Sequence, residues 1–274
     1  MSRPELLLLA LSVACVDPAS SPDAGPADAG VGFPQRYDLS GPFGGAMCRS
    51  SMLATSTGVA IIWEQFPTGA ANEQVVFSRV ASDGSIEVQP TRIYDGNIRD
   101  LWLMPDGDDF VVVVDSFVAG FEAIGVDGAG QVAATNSLGG IGSDANFVKT
   151  DGQYWAIYRR SISAADDKIA YRTFDAPGTN LSAATDLAPA IAGVQRDPHV
   201  DVDGDGVWSA FVSGSVVHLQ KTDSTGTPLI ADQEALPELN SPYVDVTASS
   251  EGVLLMAAHY PGSSPERVAH RTFD

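Results

Sequence analysis

Six charged residues stand out in a chain that has only 15 basic residues against 35 acidic ones. They are Arg49, Arg99, Asp100, Asp144, Arg196 and Asp197. Paired carboxyl groups can supply a general acid and a base or nucleophile, and guanidinium groups can hold polar ligands through charge-assisted hydrogen bonds. Such chemistry requires that the fold bring these distant residues to one place.

A repeat in the sequence predicts how they could meet. Residues 169–175 return as residues 268–274 with five of the seven positions identical, and weaker copies occur elsewhere. The copies close at Asp83, Asp127, Asp175, Asp223 and Asp274, at intervals of 44, 48, 48 and 51 residues. A period of about 40 to 50 residues with strand-like content is typical of the blades of a β-propeller.

Each repeat is predicted to contain four strands. The first ends in a glycine-bearing turn, and the second is a nearly continuous apolar run such as residues 110–114, which indicates burial on both faces. The first three strands occur five times but the fourth only four times. Residues 33–39 are left over and resemble the N-terminal closing strand of known propellers. We therefore predict an all-β fold, a five-bladed β-propeller of four-stranded antiparallel blades closed by an N-terminal strand.

The predicted propeller spans residues 33–274. Its blades are expected at about 46–95, 96–139, 140–188, 189–236 and 237–274, the last completed by 33–40.

The N-terminus has the pattern of an export signal. Arg3 precedes an apolar run over residues 6–13, and Ala14 and Cys15 follow at once. This order resembles the lipobox of bacterial lipoproteins, in which the cysteine is acylated, although Ser12 stands where that family usually has an aliphatic residue. Cleavage by an ordinary signal peptidase is the alternative.

The chain is therefore identified as resembling an exported bacterial lipoprotein with a five-bladed propeller. Residues 1–14 would be the signal peptide, and residues 15–32 would be the lipidated Cys15 followed by a disordered tether of Ala, Asp, Gly and Pro. The membrane would be its partner through the lipid anchor, on the periplasmic or cell-surface side.

The net charge of −20 argues against nucleic acid as a partner, since such a surface repels phosphates. Residues 201–206 resemble the start of a calcium loop, but the required twelfth-position glutamate is Val212. We expect an ordinary hairpin there, and we predict no metal, no cofactor and a monomer.

In a propeller the starts of the inner strands surround the axial opening, where the six charged residues would form a ligand site. Our main expectation is a binding or interaction module for a polar ligand or protein, and not an enzyme. The alternative is a glycan-acting hydrolase using Asp100, Asp144 and Asp197, because five-bladed glycosidases carry carboxylates from separate blades in this region. Each aspartate could instead cap the backbone or satisfy its neighbouring arginine.

Replacing Cys15 with serine tests the anchor. Stable attachment requires two or more acyl chains, so the Cys15→Ser variant should leave the membrane fraction and lose labelling by a fatty-acid analogue. Membrane retention together with labelling in this variant would contradict lipidation at Cys15.

Overall fold

The structure is a computed structural model that describes residues 47–67, 69–150, 152–163, 166–204, 206–236, 243–249, 252–259 and 267–273. Within these ranges every regular element is a β-strand. The predictions for the signal peptide, for Cys15 with its tether and for the closing strand at 33–40 fall outside them.

The strands form five antiparallel sheets that follow one another along the chain. Blade 1 contains β1 (Met47–Ala54), β2 (Gly58–Gln65), β3 (Glu73–Ala81) and β4 (Ile86–Gly96). Blade 2 contains β5 (Ile98–Asp106), β6 (Asp109–Ser116), β7 (Gly120–Val126) and β8 (Val132–Ser137). Blade 3 contains β9 (Ser143–Lys149), β10 (Tyr154–Ser163), β11 (Asp166–Phe174) and β12 (Thr185–Asp186). Blade 4 contains β13 (Gln195–Val202), β14 (Val207–Ser213), β15 (Val216–Thr222) and β16 (Pro228–Leu236), and blade 5 contains β17 (Tyr243–Ser249), β18 (Gly252–His259) and β19 (Arg267–Phe273).

This arrangement confirms the five-bladed β-propeller. Four blades have four strands each, and the described part of the fifth has three. The first strands of successive blades lie beside one another from blade 1 to blade 5, as expected for strands around a central axis. None of the residues that the structure describes forms a helix long and apolar enough to cross a membrane.

The second strand of each blade is apolar on both faces because it lies between two neighbouring blades. In β6, Phe110, Val112 and Val114 pack into the core shared with blade 1. The alternate residues Val111 and Val113 pack into the core shared with blade 3. Since side chains alternate between the faces of a strand, a run of five apolar residues fills two separate cores.

The aspartate that closes the third strand has a structural role. The Asp127 Oδ1 accepts hydrogen bonds from the backbone N–H groups of Ala129 and Gln131 at 2.9 and 2.8 Å. The Asp223 Oδ1 accepts from Thr225 and Thr227 in the same way, and these bonds, led by the Thr225 hydroxyl, lower the pKa of the Asp223 carboxyl. The repeated aspartate that marks the period is therefore a turn cap.

A core substitution between blades should be costly. Phe77 is fully buried in the core shared by blades 1 and 2, and its ring centroid lies 5.2 Å from that of Phe110. We expect Phe77→Ala to lower the free energy of unfolding by about 3–5 kcal/mol in denaturant titrations. Phe117→Ala is the matched control, because Phe117 is 60% exposed, and should cost about 0.5 kcal/mol or less. Equal losses in the two variants would contradict this packing.

Candidate functional site

The inner strands of blades 1 to 4 carry an irregularity near their starts. The pairing register shifts between Met47 and Ser50 in β1, between Ile98 and Asp100 in β5, between Ser143 and Asn146 in β9, and between Arg196 and His199 in β13. In each case the inner strand has one residue more than its partner, which makes a β-bulge. The described part of β17 pairs with β18 without a shift. All six predicted site residues lie at or directly beside these bulges.

Two of the aspartates have a left-handed backbone at their bulges. Asp144 has φ 53° and Asp197 has φ 50°. These are matching positions in neighbouring blades, each following the last residue paired before the shift. Aspartate tolerates this region better than most residues, but the conformation is still uncommon and such positions concentrate at functional sites. The shared geometry indicates that the backbone holds both carboxyl groups in a defined orientation.

The Asp144 carboxylate is held by an arginine from its own blade. The Arg159 Nη1 lies 3.2 Å from the Asp144 Oδ2. The Arg159 Nε donates to Asp167 Oδ2 at 2.8 Å, and Ser161 Oγ donates to Asp167 Oδ1 at 2.8 Å. Because two anchors fix the guanidinium, Asp144 has a positioned positive charge beside it.

Asp197 lies in a different environment. Partial burial raises the pKa of its carboxyl, and the negative charge of Asp144 raises it further, while Arg196, His199 and Arg159 oppose the shift. The Arg196 Nε is 3.7 Å from the Asp197 Oδ2, which is too long for a hydrogen bond. The two neighbouring carboxyl groups are therefore pushed toward different protonation states.

Arg49 and Asp100 form a second group between blades 1 and 2. The Arg49 Nη1 contacts Glu64 Oε2 at 2.6 Å and donates to the Ile98 carbonyl at 3.2 Å. Glu64 is only 1% exposed, and its burial raises its pKa despite the arginine. Although Asp100 is exposed as a residue, the loss of water around its carboxyl raises its pKa, opposed by the 2.9 Å hydrogen bond from Leu101 N–H. The six predicted residues thus separate into two groups.

The expected pairing of each arginine with the next aspartate does not occur at Arg99. Its guanidinium carbon lies 4.4 Å from the ring centroid of Phe117, at the turn between β6 and β7. Among the described residues no hydrogen-bond acceptor is found for Arg99. Because Arg49 pairs with Glu64 and Arg99 covers Phe117, the arginines do not simply neutralise their sequence neighbours.

Sequence reasoning missed several residues that complete the site. Glu64 and Arg159 come from second strands, whose ends pair with the inner-strand starts. His199 Nδ1 lies 3.4 Å from Asp245 Oδ1, and this contact lowers the pKa of Asp245. The only signal for His199 was its spacing of two residues from Asp197, and the other two lay inside runs assigned to the core or a loop.

The described residues include no group of three or more His, Cys, Asp or Glu side chains that could hold a metal ion. The carboxylates of the calcium-like segment serve the fold instead. Asp203 Oδ2 accepts from Trp208 Nε1 at 2.7 Å and contacts Lys221 Nζ at 2.8 Å. Asp201 Oδ2 accepts from the backbone N–H of Ala248 in blade 5 at 2.8 Å. The chemistry available at the axial site is therefore that of paired carboxyl groups.

No family model and no curated protein matches this chain, whereas solved structures do. The polysaccharide lyase Uly1 is 10% identical with a TM-score of 0.52, over 83% of this chain and 58% of its own. An exo-β-1,3-galactanase from Phanerochaete chrysosporium is 11% identical with a TM-score of 0.48, over 82% and 60%. A GH43_1 enzyme from Xanthomonas citri complexed with xylose is 9% identical with a TM-score of 0.45, over 82% and 87%. The chain thus spans about 60% of the length of the first two.

These neighbours correct the main functional expectation from the sequence. All three are named as enzymes, and two are named for acting on polysaccharide or galactan. The expectation of a binding module that is not an enzyme was therefore wrong, and the alternative of a glycan-acting enzyme is better supported. At 9–11% identity the likeness shows the fold alone, so an activity of this chain rests on its own site residues.

The raised pKa of Asp197 predicts a pH-dependent gain in stability for Asp197→Asn. A carboxyl with a raised pKa in the folded state penalises folding once the pH exceeds its unfolded pKa of about 3.9, and asparagine removes that penalty. Thermal unfolding should show a Tm rise of about 1–4 °C at pH 7 that disappears toward pH 3. Asn also accepts the positive φ.

Asp144→Asn is the contrasting variant in that experiment, because it removes the partner of Arg159. It should show no comparable gain at pH 7. A Tm rise of the same size in both variants, or one that persists at pH 3, would contradict the assigned environments.

Proposed function

We propose that the propeller is a hydrolase acting on glycans, with Asp197 as general acid and Asp144 as the carboxylate that acts as base or nucleophile. Cleavage of a glycosidic bond needs one carboxyl group that is protonated and one that is ionised. The observation that carries the proposal is the Asp144–Asp197 pair, held at matching bulges in adjacent blades with opposite electrostatic surroundings. The names of the structural neighbours support the same substrate class.

The roles follow from the surroundings of each group. Burial and the charge of Asp144 favour the protonated form of Asp197, which could donate its proton to the leaving oxygen. The ion pair with Arg159 favours the ionised form of Asp144. Asp100 also has a raised pKa, but its charged neighbours are Arg49, Glu64 and Asp115. We therefore assign the acid role to Asp197, which has a second carboxylate within electrostatic reach.

The opening is accessible to a polymer. Asp144 and Asp197 both retain about a third of their side-chain surface in contact with solvent. Exposed carboxyl groups at the ends of inner strands can be reached from outside without opening the blades. Arg196 and His199, close enough to affect the pKa of Asp197, can hold sugar hydroxyls and stabilise the charge that develops there.

Release of reducing ends from xylan, β-1,3-galactan and xyloglucan tests the activity. Asp144→Asn and Asp197→Asn should each lower kcat/KM at least about 100-fold, since removal of a general acid or base typically costs 10²–10⁴. In the parent, activity should fall as the pH rises through the raised pKa of Asp197. Asp108→Asn, an exposed residue in the turn between β5 and β6 at the opposite end, is the matched control and should retain full activity.

The proposal fails if the parent releases no reducing ends from any of these polysaccharides. It also fails if both aspartate variants keep parental rates. Loss of activity in Asp108→Asn would point instead to a general effect on folding.

We further propose that the propeller works as a monomer outside the cytoplasm, anchored through a lipid at Cys15. The export pattern, the lipobox-like cysteine and the Ala/Asp/Gly/Pro tether support this placement. A hydrolase for extracellular polymers would meet its substrate on the periplasmic or cell-surface side. The acidic surface supports the absence of nucleic acid among its partners.

A further inference from the structure

The two ends of the propeller differ in their exposed side chains. At the end where inner strands begin, large apolar residues project from the tips of second strands and the neighbouring loops. These residues, here called the rim, are Phe66, Phe117, Val118, Ile162 and Val194, all exposed. At the opposite end, the described turns between first and second strands consist of Ser, Thr, Asp, Gly and Gln. Exposed apolar groups collected at one end mark a surface where something binds.

Phe117 is the best-defined member of the rim. Its ring is 60% exposed although Arg99 lies over it at 4.4 Å. The turn that carries it is held in place: Ser116 Oγ accepts from the N–H groups of Val118 and Ala119 at 3.3 and 2.8 Å. The Phe117 N–H also donates to the Asn97 carbonyl at 2.9 Å. The ring is therefore presented by a fixed turn rather than by a free loop.

Arg99 adds polar groups beside this ring. A guanidinium has five N–H donors, and no acceptor for those of Arg99 is found in the described part of the chain. Asp100 follows Arg99, and Asp115 lies close enough for Arg99 and Asp100 to affect its pKa. A ligand on Phe117 would thus meet an apolar surface and hydrogen-bonding groups of both kinds within a few ångströms.

We infer that Phe117 and Arg99 together form a binding site for an uncharged sugar ring of an extended glycan. A sugar ring has an apolar C–H face that suits an aromatic ring and hydroxyl groups that suit Arg99 and Asp100. A lipid or an apolar protein surface would have to bury Arg99, Asp100 and Asp115 without partners, which is costly. An anionic sugar would meet the carboxylates of Asp100 and Asp115.

This inference rests on the proposed function for the class of ligand and extends it to the length of the substrate. The Phe117 site belongs to blade 2, whereas Asp144 and Asp197 belong to blades 3 and 4. A single sugar at the carboxyl pair need not contact Phe117, but a chain of several sugars leaving the axial opening over blade 2 could. Phe66, 42% exposed on blade 1, lies at the same end and could contact a further sugar.

Affinity electrophoresis through gels containing xylan, β-1,3-galactan or xyloglucan tests the site without requiring catalysis. In an Asp197→Asn background, which prevents turnover, Phe117→Ala should bind the retarding polysaccharide about tenfold more weakly. Arg99→Gln should weaken binding in the same direction, since it keeps a polar side chain but loses the planar guanidinium. Leu229→Ala is the matched control, because Leu229 is 51% exposed on the outer strand β16 and lies outside the rim.

Each outcome decides the matter. Retardation that is weakened by Phe117→Ala but not by Leu229→Ala supports the site, even if the parent hydrolyses nothing and the proposed function fails. Hydrolysis with unchanged retardation in Phe117→Ala overturns the site and leaves the function intact. Absence of retardation in all three polysaccharides overturns the inference. So does a dimer, seen by light scattering, that Phe117→Ala converts to monomer, because a second copy would then occupy the rim.

Discussion

The packing of each second strand between two blades is the interaction on which the rest of the structure depends. Residues such as Val111 and Val112 are fully buried in different cores although they are adjacent in sequence. A strand that is apolar on both faces leaves no place for charged groups in the middle of a blade. Charged side chains are confined to the strand ends and the outer strands, and the ends nearest the axis are where blades bring them close together.

The bulges convert this confinement into a site. An extra residue at the start of an inner strand bends the chain and turns a side chain away from the regular alternation. At Asp144 and Asp197 the result is two carboxyl groups from separate blades that affect each other's ionisation. The same end also contains Glu64, Asp100 and Asp115, whose pKa values are raised by burial. Partial desolvation of so many acids costs stability, and the blade cores must supply it.

The sequence predicted the blades well because their signals are local and periodic. Glycine turns, the apolar run of residues 110–114 and the recurring aspartate at the end of the third strand each report on a few neighbouring residues. The partners of the site residues were not predictable in this way. Arg49 pairs with Glu64 across a hairpin, and Arg159 reaches Asp144 only because the register shifts at the bulge. Arg99 next to Asp100 suggested a self-satisfied pair, yet its contact is Phe117, whose position depends on the β6–β7 turn.

The left-handed backbone at Asp144 and Asp197 also limits which amino acids evolution can try at these two positions. Besides aspartate, glycine and asparagine enter this region at low cost, whereas β-branched or bulky side chains do so with difficulty. A duplicated gene copy released from selection for chemistry should therefore drift toward Asn or Gly at these positions and not toward hydrophobic residues. The backbone would preserve the shape of the opening after the carboxyl groups were lost. Inactive descendants of this propeller would then keep a vacant pocket suited to recognition, which is one physical route from an enzyme to a receptor.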